Sequence, residues 1–265
     1  MSNVSSTVSI AFADSATMLR RRLRHMLRYP TLILTAAGVP VAILLLFVYV
    51  LGGALGDGVG TAGGMSYVDY VVPGVVLMTV ATAAQGTAIS VSIDMTEGIV
   101  ARFRTMAIAR VSVLTGHVLG SLIQTMLSIA AVVGVALLVG FRPTAALGEW
   151  LGAIGVLAMI VLALTWLSVA LAMVAKSVAT ASNMLTPLMI LPMTGSGFVP
   201  TDSMPTGLRW FAEYQPFTPF IETLRGLLMG TPMGDGLILT VGWCAAIGLG
   251  GYLWAKRLYN REPTR

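Results

Sequence analysis

Few residues in this chain could carry covalent or metal chemistry. The candidate nucleophiles and soft ligands reduce to His25, His117 and Cys244. Two isolated histidines without an HExxH pair make no zinc site, and one cysteine can form neither an internal disulfide nor a cluster. Lys176 followed by Ser177 lacks the preceding glycine-rich frame that cradles phosphates, so the chain is not expected to bind ATP itself. What remains is hydrogen-bonding chemistry in an apolar setting. Thr79, Thr82, Gln85, Thr87, Ser90 and Ser92 form one polar series, and Asn183 and Thr186 stand in a later apolar run. Such side chains either bond a neighbouring helix or line a path for a solute. Thr82, Gln85, Ser90 and Asn183 are the candidate path residues; for Gln85, a bond to another helix is the simpler reading.

Positioning these groups falls to helices in lipid. Of 265 residues 56% are hydrophobic and only 10% charged, which excludes an ordinary soluble enzyme. Charge at mid-membrane is costly, so charge-free intervals outline the spans. They cover 29–56, 70–93, 111–141, 150–175, 177–201 and 236–255. At about 1.5 Å per residue each could cross roughly 30 Å of hydrocarbon. The intervals lack the alternation of a membrane barrel. The expectation is an all-α polytopic membrane protein with six transmembrane helices.

Thirteen of the 16 Lys and Arg fall on one side of that topology: five between Arg20 and Arg28, then Arg102, Arg104, Arg110, Lys176, Lys256, Arg257, Arg261 and Arg265. The other side holds Arg142, Arg209 and Arg225 with seven acids. Positive residues stay inside, so both termini are expected in the cytoplasm. The formal net charge of +5 then reads as inner-leaflet anchoring rather than nucleic-acid binding. About 30 residues precede the first interval without a cleavage-site pattern, so the N-terminal segment is expected to stay in the mature chain. Over 10–29, Leu19, Leu23, Met26 and Leu27 gather opposite Arg20, Arg21, Arg24 and Arg28, the pattern of an amphipathic interfacial helix. Tyr29, Tyr70, Trp150, Trp254 and Tyr259 lie near the expected interfaces.

The fifth interval contains Pro187, Pro192 and Pro200, so a straight helix throughout it is not expected. Residues 197–235 are too apolar for an ordinary exterior loop, and short re-entrant or interfacial helices are expected there. Thr218 could cap one with Pro219 at its first position and Gly226 or Gly230 at its end. Spacing permits ion pairs between Glu222 and Arg225 and between Arg209 and Glu213. Gly116 with Gly120 and Gly148 with Gly152 permit close helix packing, though 29 glycines make such matches common.

After the second interval, residues 94–104 are short, charged and amphipathic, able to present Glu97, Arg102 and Arg104 while Ile99, Val100 and Phe103 bury. Residue chemistry leaves a topogenic turn and a force-transmitting element equally open. The segment EGIVARFRTMAIAR (97–110), followed by Gly116 and His117, resembles the coupling region of ABC-2 type permeases, most closely the daunorubicin/doxorubicin exporter type. GFVPTDSMPTGLRWFAEYQPFTPFIETLRGLLMG (197–230) resembles the family's stretch between spans five and six. Ala107 departs from the proline many relatives carry, and His117 stands where many have a basic residue.

The resemblance covers nearly the whole chain and implies a single ABC-2 transmembrane domain over 1–265. It implies a cytoplasmic coupling region at 94–110, with Glu97, Arg102, Phe103 and Arg104 facing the ATPase. An extracellular re-entrant region at 197–235 would place Phe198, Trp210, Phe217 and Phe220 at the outer gate. The implied partners are a cytoplasmic ABC ATPase dimer, a second identical or homologous permease subunit and membrane lipids. ATP and Mg2+ would be used by the ATPase, with no cofactor held by this chain. The implied activity is export of hydrophobic or amphipathic drugs or lipids across the bacterial cytoplasmic membrane. A gradient-driven transporter of small solutes or ions is the alternative, with Gln85, Asn183 and the broken fifth interval as its binding groups. A membrane-embedded enzyme and a purely structural membrane protein are weaker fits.

Overall fold

The structure, a computed structural model, describes residues 31–53, 65–96 and 110–260, with side chains placed for 37–53, 65–96 and 118–258. Among these, eight α-helices form: α1 (Thr31–Leu45), α2 (Tyr67–Thr96), α3 (Arg110–Val139), α4 (Leu147–Val174), α5 (Val178–Thr194), α6 (Thr206–Tyr214), α7 (Phe217–Met229) and α8 (Gly236–Asn260). A π-helical turn, Leu46–Val50, continues α1, and a 3-10 turn, Thr201–Ser203, precedes α6. The interfacial helix expected over 10–29 and most of the 94–110 segment lie outside the described residues.

Local chemistry sets the helix ends. Ser66 caps α2, its Oγ accepting from Asp69 N at 3.2 Å and donating to Asp69 Oδ2 at 2.7 Å. Glu149 Oε2 accepts from Ala146 N at 2.6 Å at the start of α4, and Ser177 Oγ accepts from Thr180 N at 3.1 Å at the start of α5. Gly140 (φ 117°) and Gly230 (φ 69°) end α3 and α7 in backbone conformations that a side chain would strain. The α7 start departs from expectation. The helix begins at Phe217 after Pro216, and the Thr218 hydroxyl bonds the Ala212 carbonyl instead of capping.

At the centre stands α2, the most buried of the long helices, packed by α1, α3, α4, α5 and α7. Its core-facing Val71, Val75, Leu77 and Val80 meet Phe141, Ile160, Leu164, Phe217 and Phe220 in one apolar cluster. The long pair α4 and α8, running parallel with Gly248 against Ala163 and Gly251 against the backbone of Trp166 and Leu167, closes one flank. Of the expected glycine pairs, Gly148 faces open space and Gly152 meets only Leu227, while the surroundings of Gly116 lie outside the described side chains.

Among the described residues, four helical segments are long and apolar enough to cross a membrane: Tyr67–Thr96, Val118–Val139, Leu147–Val174 and Gly236–Leu258. They match the second, third, fourth and sixth charge-free intervals. The expectation of six transmembrane helices with re-entrant helices between the last two is therefore corrected. In the first interval, α1 carries Pro40 and passes into the π turn, and its apolar run Ala37–Val50 falls short of a crossing. In the fifth, α5 has 17 residues, about 26 Å of helix against roughly 30 Å of hydrocarbon. It contains Pro187 and Pro192 and gives way to a buried turn at 195–198. Absence of charge marks where a helix could cross; it does not keep the backbone continuous. Nor do the helices between α5 and α8 form a re-entrant pair. α6 is exposed on nearly all its length, while α7 buries its apolar face against α2, α4, α5 and α8.

Candidate functional site

The α2 polar series divides between two neighbours. Thr79, Thr82 and Thr87 each donate to a carbonyl four residues back, at 2.9 to 3.0 Å, which satisfies the hydroxyls within the helix. Gln85 Nε2 crosses to α5, donating to Ser182 O at 3.1 Å and Ser182 Oγ at 3.2 Å. Thr87 Oγ1 crosses to α3 and meets Ser121 Oγ at 2.5 Å. Thr82, Gln85 and Ser90 are half-buried along the open side of α2, where Gly86 is exposed. Across from them Asn183 and Thr186 are exposed on α5, beside Met184 and Ile190. Gln85 thus joins the two walls through Ser182, next to Asn183. The four candidate path residues are half-buried or exposed beside the contact between α2 and α5.

The second constellation sits at one end of the bundle. Phe198, in the 195–198 turn, packs on Phe47 with ring centroids 4.5 Å apart. Phe217 and Phe220 on α7 are fully buried and edge-on to each other at 5.8 Å. Trp210 on α6 is the exception: 65% exposed, it tilts against exposed Tyr214. Opposite this aromatic face Arg209 pairs with Asp202 and Glu213, each at 2.7 Å. Those carboxylates raise the Arg209 pKa.

Glu222 and Arg225 do not form the pair their spacing permits. Arg225, 8% exposed, donates through Nη2 to Ser196 O at 2.6 Å and to Tyr70 O at 3.1 Å, with its guanidinium 3.9 Å above the centre of the Tyr70 ring. Its buried Nε has no hydrogen-bond partner. Burial pulls the Arg225 pKa down, opposed by Tyr70 and Glu222. Burial raises the Glu222 carboxyl above its ordinary range, partly offset by the Arg225 charge. The signal for Arg225 was present in the sequence. It falls four residues after Ile221 and three before Leu228, both on the buried face of α7.

Asp69 was also missed as more than a boundary marker. Only 7% exposed, it accepts from Arg142 N at 2.8 Å through Oδ1 and tethers the α3–α4 connection to the start of α2. Its distinguishing signal is Ser66 three residues earlier, a capping spacing. Glu97, Arg102, Phe103 and Arg104 lie outside the described residues, as does the side chain of His117.

The arrangement is one of packed helices, interhelical hydrogen bonds and a partly exposed α2–α5 contact. The ABC-2 type transporter family matches residues 15–229. The chain belongs to the ABC-2 type transporter family. It is similar, at 28% identity over 250 residues, to the daunorubicin resistance ABC transporter permease protein DrrB1 of Streptomyces coeruleorubidus, across 90% of this chain and 83% of that protein. It is 25% identical over 207 residues to a Mycobacterium tuberculosis protein named probable doxorubicin resistance ABC transporter permease protein DrrC, across 78% of this chain and 75% of the relative. The ABC-2 chain is a multi-pass membrane permease subunit, and its part in the transporter is the membrane path rather than catalysis.

Proposed function

We propose that this permease exports hydrophobic or amphipathic compounds, drugs or lipids, through a groove along the exposed edge where α2 meets α5. The observation that carries the reading is the exposure of the Asn183 amide beside Met184 and Ile190 on α5, whose exposed Thr186 hydroxyl is satisfied by Ser182 O at 3.3 Å. Facing lipid, that amide would be costly; facing an amphipathic cargo or a second permease subunit, it is useful. Gln85, Thr82 and Ser90 supply weak, adaptable hydrogen bonding on the other wall. The two relatives are named for resistance to daunorubicin and to doxorubicin.

Drive comes from a separate cytoplasmic ATPase dimer using ATP and Mg2+, with a second identical or homologous permease completing the path. Lys176, Lys256 and Arg257 stand at one end of the bundle. Asp69, Glu149, Asp202, Glu213 and Asp235 stand at the other, and the positive end is read as cytoplasmic in a bacterial membrane. The 94–110 segment then meets the ATPase through Glu97, Arg102, Phe103 and Arg104. Phe198, Phe217 and Phe220 close the outer end, with Trp210 at the surface. ATP draws the ATPases together, the coupling segments move, and the groove changes its side of access.

Co-reconstitution with the ATPase in vesicles tests this. ATP-dependent, vanadate-sensitive movement of a fluorescent anthracycline or a labelled lipid is expected, and loss of coupled ATPase activity when Arg102 and Arg104 are both replaced by Ala. Flux that is insensitive to vanadate and follows an ion gradient refutes the reading in favour of a gradient-driven transporter.

A further inference from the structure

Arg225 is placed unlike a charge kept only for stability. A half-buried carboxylate, Glu222, sits one helical turn away on α7, yet the guanidinium turns from it to two main-chain carbonyls. Those carbonyls belong to different elements. Tyr70 O is in the first turns of α2, and Ser196 O is in the buried turn after α5, where among the described residues no backbone N–H reaches it. One side chain therefore ties three elements together: α7, α2 and the 195–198 turn. The same place has the closest backbone approach between α2 and that turn. A Cβ at Gly74 would lie 2.8 Å from Gly197 O.

The arrangement also leaves the buried Arg225 Nε without a partner among the described residues, a cost that a carboxylate would remove. Two sets of acceptors thus stand near one cation: two carbonyls from neighbouring elements, and the carboxylate one turn away on its own helix. We propose that Arg225 is the positioning residue that sets access at this end of the bundle. It holds α2, the 195–198 turn and α7 together when closed, and it turns onto Glu222 when that end opens. The inference deepens the export reading, resting on it for the claim that this end opens during transport, and adds a residue that acts through the packing of others rather than by touching cargo.

The test is cysteine accessibility in membrane sheets open on both faces, containing permease and ATPase, so that neither orientation nor cargo enters the readout. Cys244, the native cysteine, is replaced by Ala, and Ser196→Cys, buried in the closed arrangement, serves as reporter for a water-soluble maleimide. At rest, Arg225→Gln is expected to raise the labelling rate about tenfold or more, the population shift that losing charge-assisted hydrogen bonds brings. Glu222→Gln is expected to move the rate the other way, labelling at or below the parent rate and blunting any rise on ATP addition, because the open arrangement has lost its partner. Generic loosening of the fold would speed both variants. Equal acceleration in both, or a parent rate in Arg225→Gln, overturns the proposal. If Arg225→Gln fails to accumulate, Arg225→Lys decides. Its ammonium cannot bridge both carbonyls while stacked on Tyr70, so faster labelling supports the assignment and a parent rate overturns it. An ATP-insensitive parent with fast-labelling Arg225→Gln would refute the ATP-driven reading and leave the positioning role standing.

Discussion

Replacing Gly74 by Ala should destabilise the permease far more than the added methyl suggests. An ideal Cβ there meets Gly197 O at 2.8 Å, Gly197 Cα at 2.9 Å and Gly197 C at 3.1 Å. All three atoms are backbone, so no flexible side chain can swing away. Relief requires α2 and the 195–198 turn to part by several tenths of an ångström, against the 2.6 Å Arg225–Ser196 hydrogen bond that holds the same turn. Gly197 has no slack on its other side, since a Cβ there would lie 2.8 Å from Pro192 O. Overpacking of this kind costs about 1 to 3 kcal/mol. For a chain of this size that is a fall in Tm of about 3 to 10 °C. Gly86→Ala is the matched control: same helix, same chemical change, and nothing within 4 Å of its Cβ. It should be neutral or stabilising by up to about 1 kcal/mol, since Ala suits a helix interior better than Gly. Heating each detergent-purified variant and measuring the fraction that stays monodisperse by size exclusion gives both Tm values. Equal values for Gly74→Ala and Gly86→Ala would refute the close backbone approach and the packing argument built on it.

The same measurement should show Gly251→Ala destabilised and Gly250→Ala unchanged, because a Cβ at Gly251 lies 2.7 Å from Leu167 N and one at Gly250 meets nothing within 4 Å. Asp69→Ala is expected to cost about 1 to 3 kcal/mol by removing a cap and the acceptor for Arg142 N. Arg142→Ala should cost far less, since the bonded donor is backbone. Gln85→Leu should lower stability by about 0.6 to 2 kcal/mol through loss of the α2–α5 bonds. Asn183→Leu should leave Tm alone and change the ranking of transported compounds in the vesicle assay. Glu222 gives a pH signature. Burial raises its folded carboxyl pKa, so its contribution is fully present below the ordinary glutamate range and lost as pH rises through the raised value. A Tm-against-pH profile should therefore decline through that window in the parent and lose that component in Glu222→Gln.

Charge placement made much of this architecture legible before any coordinates. The intervals 70–93, 111–141, 150–175 and 236–255 fall within a few residues of α2, α3, α4 and α8, because lipid and protein interior alike exclude an unpaired charge. That shared exclusion is also why the reading stops there. Apolar side chains suit both lipid and a neighbouring helix, so the apolar faces of α2 do not announce that it is the buried centre, and its polar series points Gln85 to a neighbouring helix without saying which. Proline was a better guide than charge in the fifth interval, where Pro187 and Pro192 signalled the limit that α5 reaches at Thr194.

Glycine was the least legible signal. Among 29 of them, spacing within one helix pointed to Gly148 and Gly152, while the close approaches join residues far apart in sequence, Gly74 to Gly197 and Gly251 to Leu167. No pattern within a single helix encodes such a pair. Arg225 shows how the two residue classes depend on each other. Its guanidinium can bridge Tyr70 O and Ser196 O only because Gly74 and Gly197 let the two backbones come close enough for one side chain to reach both. The smallest residue clears the space in which one of the scarcest, a buried cation, can act. A larger residue at either glycine should thus weaken the Arg225 contacts without touching Arg225, and a Gly74→Ala, Arg225→Gln double variant should be less destabilised than the sum of its parts.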